Sequence, residues 1–145
     1  MKYTEPGPWD DEPDSDVFET HGLECQMMRA EVGHWCGYVV SPKQIGNAED
    51  ALYVHGGVSW DGDRIPLESR SRGIGAQVIG FDCGHPGDAS PKHASAFPEN
   101  TYRTYEYAKA ETVRLAKQVA QILDDMEEWG DAKPTPVSRA GFSGN

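Results

Sequence analysis

The sequence predicts a small α+β fold, a mostly antiparallel sheet packed against one long C-terminal helix. The helix is the clearest element. Residues 102–129 contain no glycine or proline, and Tyr105, Ala108, Thr112, Leu115, Val119, Ile122, Met126 and Trp129 recur at alternating spacings of three and four. That is an apolar stripe at helical period. Two short runs, HWCGYVV at 34–40 and AQVIGFDC at 76–83, carry the β-branched and aromatic residues of buried strands and end at proline or glycine. Sixteen glycines, ten prolines and an apolar fraction of 37% across 145 residues fit one loop-rich domain. Its core would use roughly 110 residues.

Residues 1–16 read as an acidic flexible arm, with Trp9 the residue suited to pin it to the body, 17–129 as the single α+β domain, and 130–145 as a disordered tail. Residues 23–30 fit either a first strand or one short helical turn. In the strand at 34–40, Cys36, Tyr38 and Val40 share one face and Trp35, Gly37 and Val39 the other. Residues 43–50 form a polar connection. A strand over 51–55 meets Gly56-Gly57, continues over 58–60, and reaches a turn at 61–63. The link at 64–75 carries Arg64, Arg70 and Arg72, either as a clamp for phosphate or carboxylate or as a merely soluble loop. Residues 76–83 are the central strand and 89–100 an irregular segment. Asn100 or Thr101 caps the helix and Gly130 ends it. At about 40 Å it outruns a small sheet, so its far half is a candidate homodimer surface.

A net charge of −11 opposes direct nucleic-acid binding and attachment to anionic membranes, and leaves room for a basic partner or for imitation of nucleic acid. There is no run of about 18 apolar residues, and the N-terminus lacks the basic-then-apolar pattern of a signal peptide. Cys25, Cys36 and Cys83 leave an odd thiol in any pairing. Together these features predict a cytoplasmic protein.

The chemistry concentrates in VIGFDCGHPGD at 78–88, where a strand empties into Asp82, Cys83, His85 and Asp88 among glycines. YVHGGVSW at 53–60 brings His55, Gly56, Gly57 and Trp60 to the same place. Three chemistries fit. His55, His85, Asp82 and Asp88 suit a divalent metal that activates water. Cys83 suits a nucleophile activated by His55 or His85 and oriented by Asp82, with glycine amides as the oxyanion site. Alternatively no reaction occurs, and His55, Gly56, Gly57, Trp60, Asp82, His85 and Asp88 bind a polar small molecule. Trp35, Tyr38 and Tyr53 would then be further stacking surfaces for a base. His34 and Cys36 either add ligands or simply pack.

Four segments in order, CGYV at 36–39, HGGVSW at 55–60, GFDCGHPGD at 80–88 and ETVRLAKQ at 111–118, resemble a family of small uncharacterised proteins widespread in bacteriophages and prophages. That family carries CGYV, HGG followed by a small hydroxylated residue and an aromatic, GFDC-x-H-x-GD, and ET-x-x-LA-x-Q. Gly84, where alanine is common, and Pro86 depart from the pattern but leave the His and Asp positions intact. The resemblance spans roughly residues 33–120 and implies a phage-encoded protein working in the host cytoplasm, with its loops meeting at one site.

The leading expectation is a phage accessory or counter-defence protein that binds a small nucleotide-like ligand at the His55 and 82–88 loops. The alternatives are a metal-assisted or Cys-dependent hydrolase using the same residues, and an acidic inhibitor that imitates nucleic acid.

Overall fold

A computed structural model describes residues 3–66, 68 and 71–132. Five strands form an antiparallel sheet: β1 Ser15–Thr20, β2 Leu23–Arg29, β3 Trp35–Ser41, β4 Trp60–Gly62 and β5 Gln77–Asp82, in the order β1-β2-β3-β5-β4. Two short strands, β6 Asp88–Ala89 and β7 Thr101–Tyr102, pair in parallel beside it. The helix α1, Tyr105–Ala132, lies across one face of the sheet, against β1, β2 and β3. No helix among the described residues is long and apolar enough to cross a membrane.

The two faces of β3 divide as their alternation predicts. Trp35 and Val39 join Met27, Ile79, Phe81, Ala108, Leu115 and Val119 between sheet and helix, whereas Cys36 and Tyr38 pack with Val78 and Ile65 on the other face. Gly37 permits the helix its close approach: a Cβ there would lie 2.3 Å from Thr112 Oγ1 and 2.5 Å from Phe81 Cε1. The Thr112 hydroxyl is satisfied by donating to the Ala108 carbonyl at 2.8 Å. Ala108, Thr112, Leu115 and Val119 are wholly buried, and Tyr105, Ile122 and Met126 pack partly on the same core, so the predicted stripe faces the sheet. The side chain of Trp129 lies outside the described residues.

Several expectations are corrected. The opening segment is not a loose arm. Trp9 is buried in a 3-10 helix, Pro8–Asp11, and Glu12 is sunk among partners distant in sequence. Its Oε1 accepts from Trp35 Nε1 at 3.0 Å, Arg29 Nη2 at 3.0 Å and the Tyr102 hydroxyl at 2.6 Å, while its Oε2 takes the Tyr105 N–H, the first of α1, at 3.0 Å. Burial alone would raise the Glu12 pKa, yet these donors hold it below the ordinary carboxylate value. Ser15–Thr20 then forms an edge strand through the two-residue turn at His21 (φ 54°) and Gly22 (φ 77°), both left-handed as a tight hairpin requires.

Helix α1 starts after Thr104, not at Asn100 or Thr101. The Thr104 hydroxyl accepts from the Tyr107 N–H at 3.1 Å and its carbonyl from the Ala108 N–H at 2.9 Å. Gly130 does not end the helix, which continues to Ala132; residues 133–145 of the predicted tail lie outside the described residues.

Residues 52–55 form no strand, and 46–51 are a 3-10 helix, Gly46–Ala51. On that helix Glu49 approaches Asp61, and the Gln77 amide donates to both, at 3.1 and 3.0 Å. Burial and the neighbouring Asp61 carboxylate push the Glu49 pKa up to about 7.

Candidate functional site

Side chains of α1 take the place of the missing strand partner for residues 53–55. The Gln118 amide accepts from the Tyr53 N–H at 2.8 Å and donates to the Tyr53 carbonyl at 2.7 Å, and Glu111 Oε1 accepts from the His55 N–H at 2.8 Å. Arg114 in turn holds Glu111 at 2.8 Å. Val54 is buried and Tyr53 exposed, while the His55 side chain, 13% exposed, turns away from Val54 toward the 82–88 loop. Gly56 (φ 71°) and Gly57 (φ 83°) then reverse the chain, with the Gly57 N–H closing on the Val54 carbonyl at 2.9 Å.

His55 meets the 82–88 loop, as the sequence predicts. Its Nε2 lies 2.8 Å from Asp88 Oδ2 and its Nδ1 2.8 Å from the Tyr107 hydroxyl. Asp88 is buried, and its other oxygen accepts from Arg103 Nε at 2.8 Å while Oδ2 also takes the His85 N–H at 3.0 Å. Burial alone would raise the Asp88 pKa, but Arg103, His55 and the His85 amide hold it below the usual value. An ionised Asp88 only accepts, so His55 donates to it through Nε2; in the neutral ring Nδ1 then accepts from the Tyr107 hydroxyl. The result is a connected chain, Tyr107 to His55 to Asp88 to Arg103, linking the 55–57 turn, the 82–88 loop and the start of α1.

His85 stands beside this chain, its ring 6.2 Å from that of His55 and its Nε2 2.8 Å from Asp82 Oδ1. Its Nε2 pairs with that carboxylate without an aligned hydrogen bond. The ring rests directly on Gly56, where a Cβ would come within 2.2 Å of His85 Cδ2. On the loop's other side, the His34 ring packs against Gly84, and its Nδ1 lies 2.9 Å from the Ser90 hydroxyl. Burial lowers the His34 pKa and favours the neutral ring.

His55, Gly56, Asp82, His85 and Asp88 therefore assemble with Gly57 alongside, and two expected members do not. Trp60 packs on the opposite face of the sheet with Ile65 and Val78, its Nε1 donating to the Arg64 carbonyl at 3.0 Å, because β4 carries it past the turn at Gly56-Gly57. Cys83 is 1% exposed within the sheet–helix core, and burial drives its thiol pKa well up, the opposite of what a nucleophile needs. Trp35 and Tyr38 are also core, and of the expected stacking aromatics Tyr53 alone is exposed, at 76%, while the ring that meets His55 is that of Tyr107, 5.4 Å away.

The donor set does not suit a metal at His55, His85, Asp82 and Asp88. Both His55 nitrogens and both Asp88 oxygens are engaged, and among the described residues no three His, Cys, Asp or Glu converge on a cation position. Of the three arginines considered as a clamp, Arg64 pairs with Asp63 and Arg72 with Glu24 and Glu68, and Arg70 lies outside the described residues. Arg103, Tyr107 and Glu111 were not expected in the site. Their signal is faint: Tyr107 and Glu111 are polar residues on the first two turns of a helix whose apolar stripe dominates the pattern, and Arg103 lies just before it.

No protein-family profile, curated protein or solved structure matches the chain.

Proposed function

We propose that the protein is a phage-type accessory protein that binds, without converting, a small phosphate-bearing, nucleotide-like ligand in the host cytoplasm. The ligand would lie on the face where residues 55–57 meet the 82–88 loop. The observation that carries this reading is the mutual commitment of His55, Asp88, Tyr107 and Arg103. Groups locked to one another make a rigid platform but a poor general base or metal cage. What they leave for a ligand are donors. Arg103 uses Nε on Asp88 and stays 29% exposed, His85 is 34% exposed, and the Gly56-Gly57 backbone is open to solvent. Tyr53, two residues before His55, offers an exposed aromatic surface.

The test is calorimetric titration with ribonucleoside mono-, di- and triphosphates and cyclic dinucleotides, followed by chromatography of the recovered ligand. One class is expected to bind at about 10 μM or tighter and to be recovered unchanged. Arg103→Ala should weaken it by about 10-fold or more, with Arg103→Lys intermediate. Absence of binding across the panel, or consumption of the ligand, overturns the reading.

One observation favours a second reading, imitation of nucleic acid. Asp124, Asp125, Glu127 and Glu128 are all exposed near the C-terminal end of α1, where the helix dipole disfavours negative charge. Replacing them with lysine would abolish inhibition of a nucleic-acid-binding enzyme under this reading and leave nucleotide binding unchanged under the first.

A further inference from the structure

At the end of β3 and β5 remote from His55 lies a second, unassigned concavity. There β3 finishes and β5 begins, and the walls are Leu23, Glu24, Val40, Pro42, Arg72 and Ile74 around a cleft of about 310 Å³. That is the lower end of the range for small-molecule sites. Four of these walls are apolar, and Ile74 is fully exposed at the rim.

The charged wall is unusual. The Arg72 side chain is only 6% exposed, and its Nη2 donates to Glu24 Oε2 at 3.0 Å. Glu68 Oε1 stands 2.8 Å from Nη1 as an ion pair without an aligned hydrogen bond, and Nε has no acceptor among the described residues. A guanidinium withdrawn from water with donors unfilled is a costly arrangement; Nε and Nη1 are themselves buried, so an incoming acceptor relieves it by drawing the side chain toward the cleft. Glu24 keeps its side chain 40% exposed, so it can still accept from a ligand.

We propose that this cleft binds a free α-amino acid with an apolar side chain. The carboxylate accepts from Arg72, the α-ammonium donates to Glu24, and the side chain packs against Leu23, Val40, Pro42 and Ile74. Each part of the ligand answers a feature of the wall. A simple anion meets two glutamates as well as one arginine and is repelled. A simple amine leaves the Arg72 donors unfilled. A zwitterion is neutral overall and satisfies both, and a volume near 310 Å³ holds one amino acid but not a dinucleotide. Gly22 in the adjoining hairpin turn has open space where a side chain would stand, which keeps the mouth clear.

The experiment is amide NMR of the full chain titrated to about 20 mM with L-leucine, and separately with isovalerate and isoamylamine, which carry one charged group each. L-leucine is expected to give saturable shifts at Leu23, Val40 and Ala76, with none at His55 or Arg103. Its affinity should exceed that of either single-charge probe by about 10-fold or more. Arg72→Met and Glu24→Gln should each remove that advantage, and if Arg72→Met fails to fold, Glu24→Gln and the probe comparison decide. No saturable shift with leucine, isoleucine, valine, methionine or phenylalanine overturns the proposal. Isovalerate binding as tightly as leucine, or shifts elsewhere on the protein, overturns it equally.

Discussion

Replacing Glu49 by glutamine removes a carboxyl group that the fold keeps protonated to unusually high pH. In the folded protein burial and Asp61 push its pKa up to about 7, against 4.5 for the free side chain. Between those values the folded state retains a proton that the unfolded chain has released. Stability from this group is therefore complete below about pH 4.5 and is lost as pH rises through about 7. The full difference of 2.5 units would correspond to about 3.4 kcal/mol. The site is partly open to solvent, and screening reduces this to about 1–2 kcal/mol. Glutamine keeps an oxygen for the Gln77 amide and supplies a donor to Asp61, so packing is preserved. The expected result in urea denaturation is that Glu49→Gln is more stable than the parent chain by about 1–2 kcal/mol at pH 8 and shows no gain at pH 4.5. Taking the difference between the two proteins at each pH cancels the titrating groups that do not interact with Glu49, so what remains belongs to Glu49 and its neighbour Asp61. An equal difference at both pH values, or a loss of stability at pH 8, would refute the reasoning.

Other perturbations test the packing. Gly37→Ala puts a methyl group into the space held by Thr112 Oγ1 and the Phe81 ring, and denaturant unfolding should show a loss of about 1–3 kcal/mol. Glu12→Ala leaves the Arg29 guanidinium, whose side chain is 5% exposed, without its buried partner. A loss of about 3–5 kcal/mol is expected, with faster proteolysis near the N-terminus, and Glu12→Gln should recover part of it. The three thiols are all buried, so a thiol-reactive dye should label none of them rapidly in the native protein and all of them in urea; one fast-reacting thiol would contradict the placement of Cys83.

The parts of the fold that rest on local periodicity were legible. The Ala108–Thr112–Leu115–Val119 stripe and the alternation of β3 both report which side of an element meets the core, and burial follows them. The meeting of His55 with the 82–88 loop was legible too, because glycines beside clustered polar side chains mark backbone that must bend around something. What failed has a common cause, in that partners come from far along the chain. Strand β1 is an edge with Asp16, Glu19 and an exposed Val17, so its pattern is that of a polar linker. Glu12 carries no sign of burial in its own neighbourhood, since its partners are at 29, 35, 102 and 105. Residues 52–55 have strand-like composition but are held by Glu111 and Gln118, side chains that do the work of a neighbouring backbone. Arg103 and Tyr107 belong to the site only because α1 begins at the mouth of the loop.

The grip of Glu12 on Tyr102 and Tyr105 joins positions 90 and 93 residues apart, which sets the order in which a nascent chain can mature. The β1–β2–β3 meander is local and is available as soon as it leaves the ribosome, but its acidic leading segment has nowhere to settle until α1 has been made. During that interval Trp9 and the Trp35 edge stay uncovered. The opening residues thus act as a late seal, and truncations of the helix should be recognised by quality-control proteases through the N-terminus they leave unsealed.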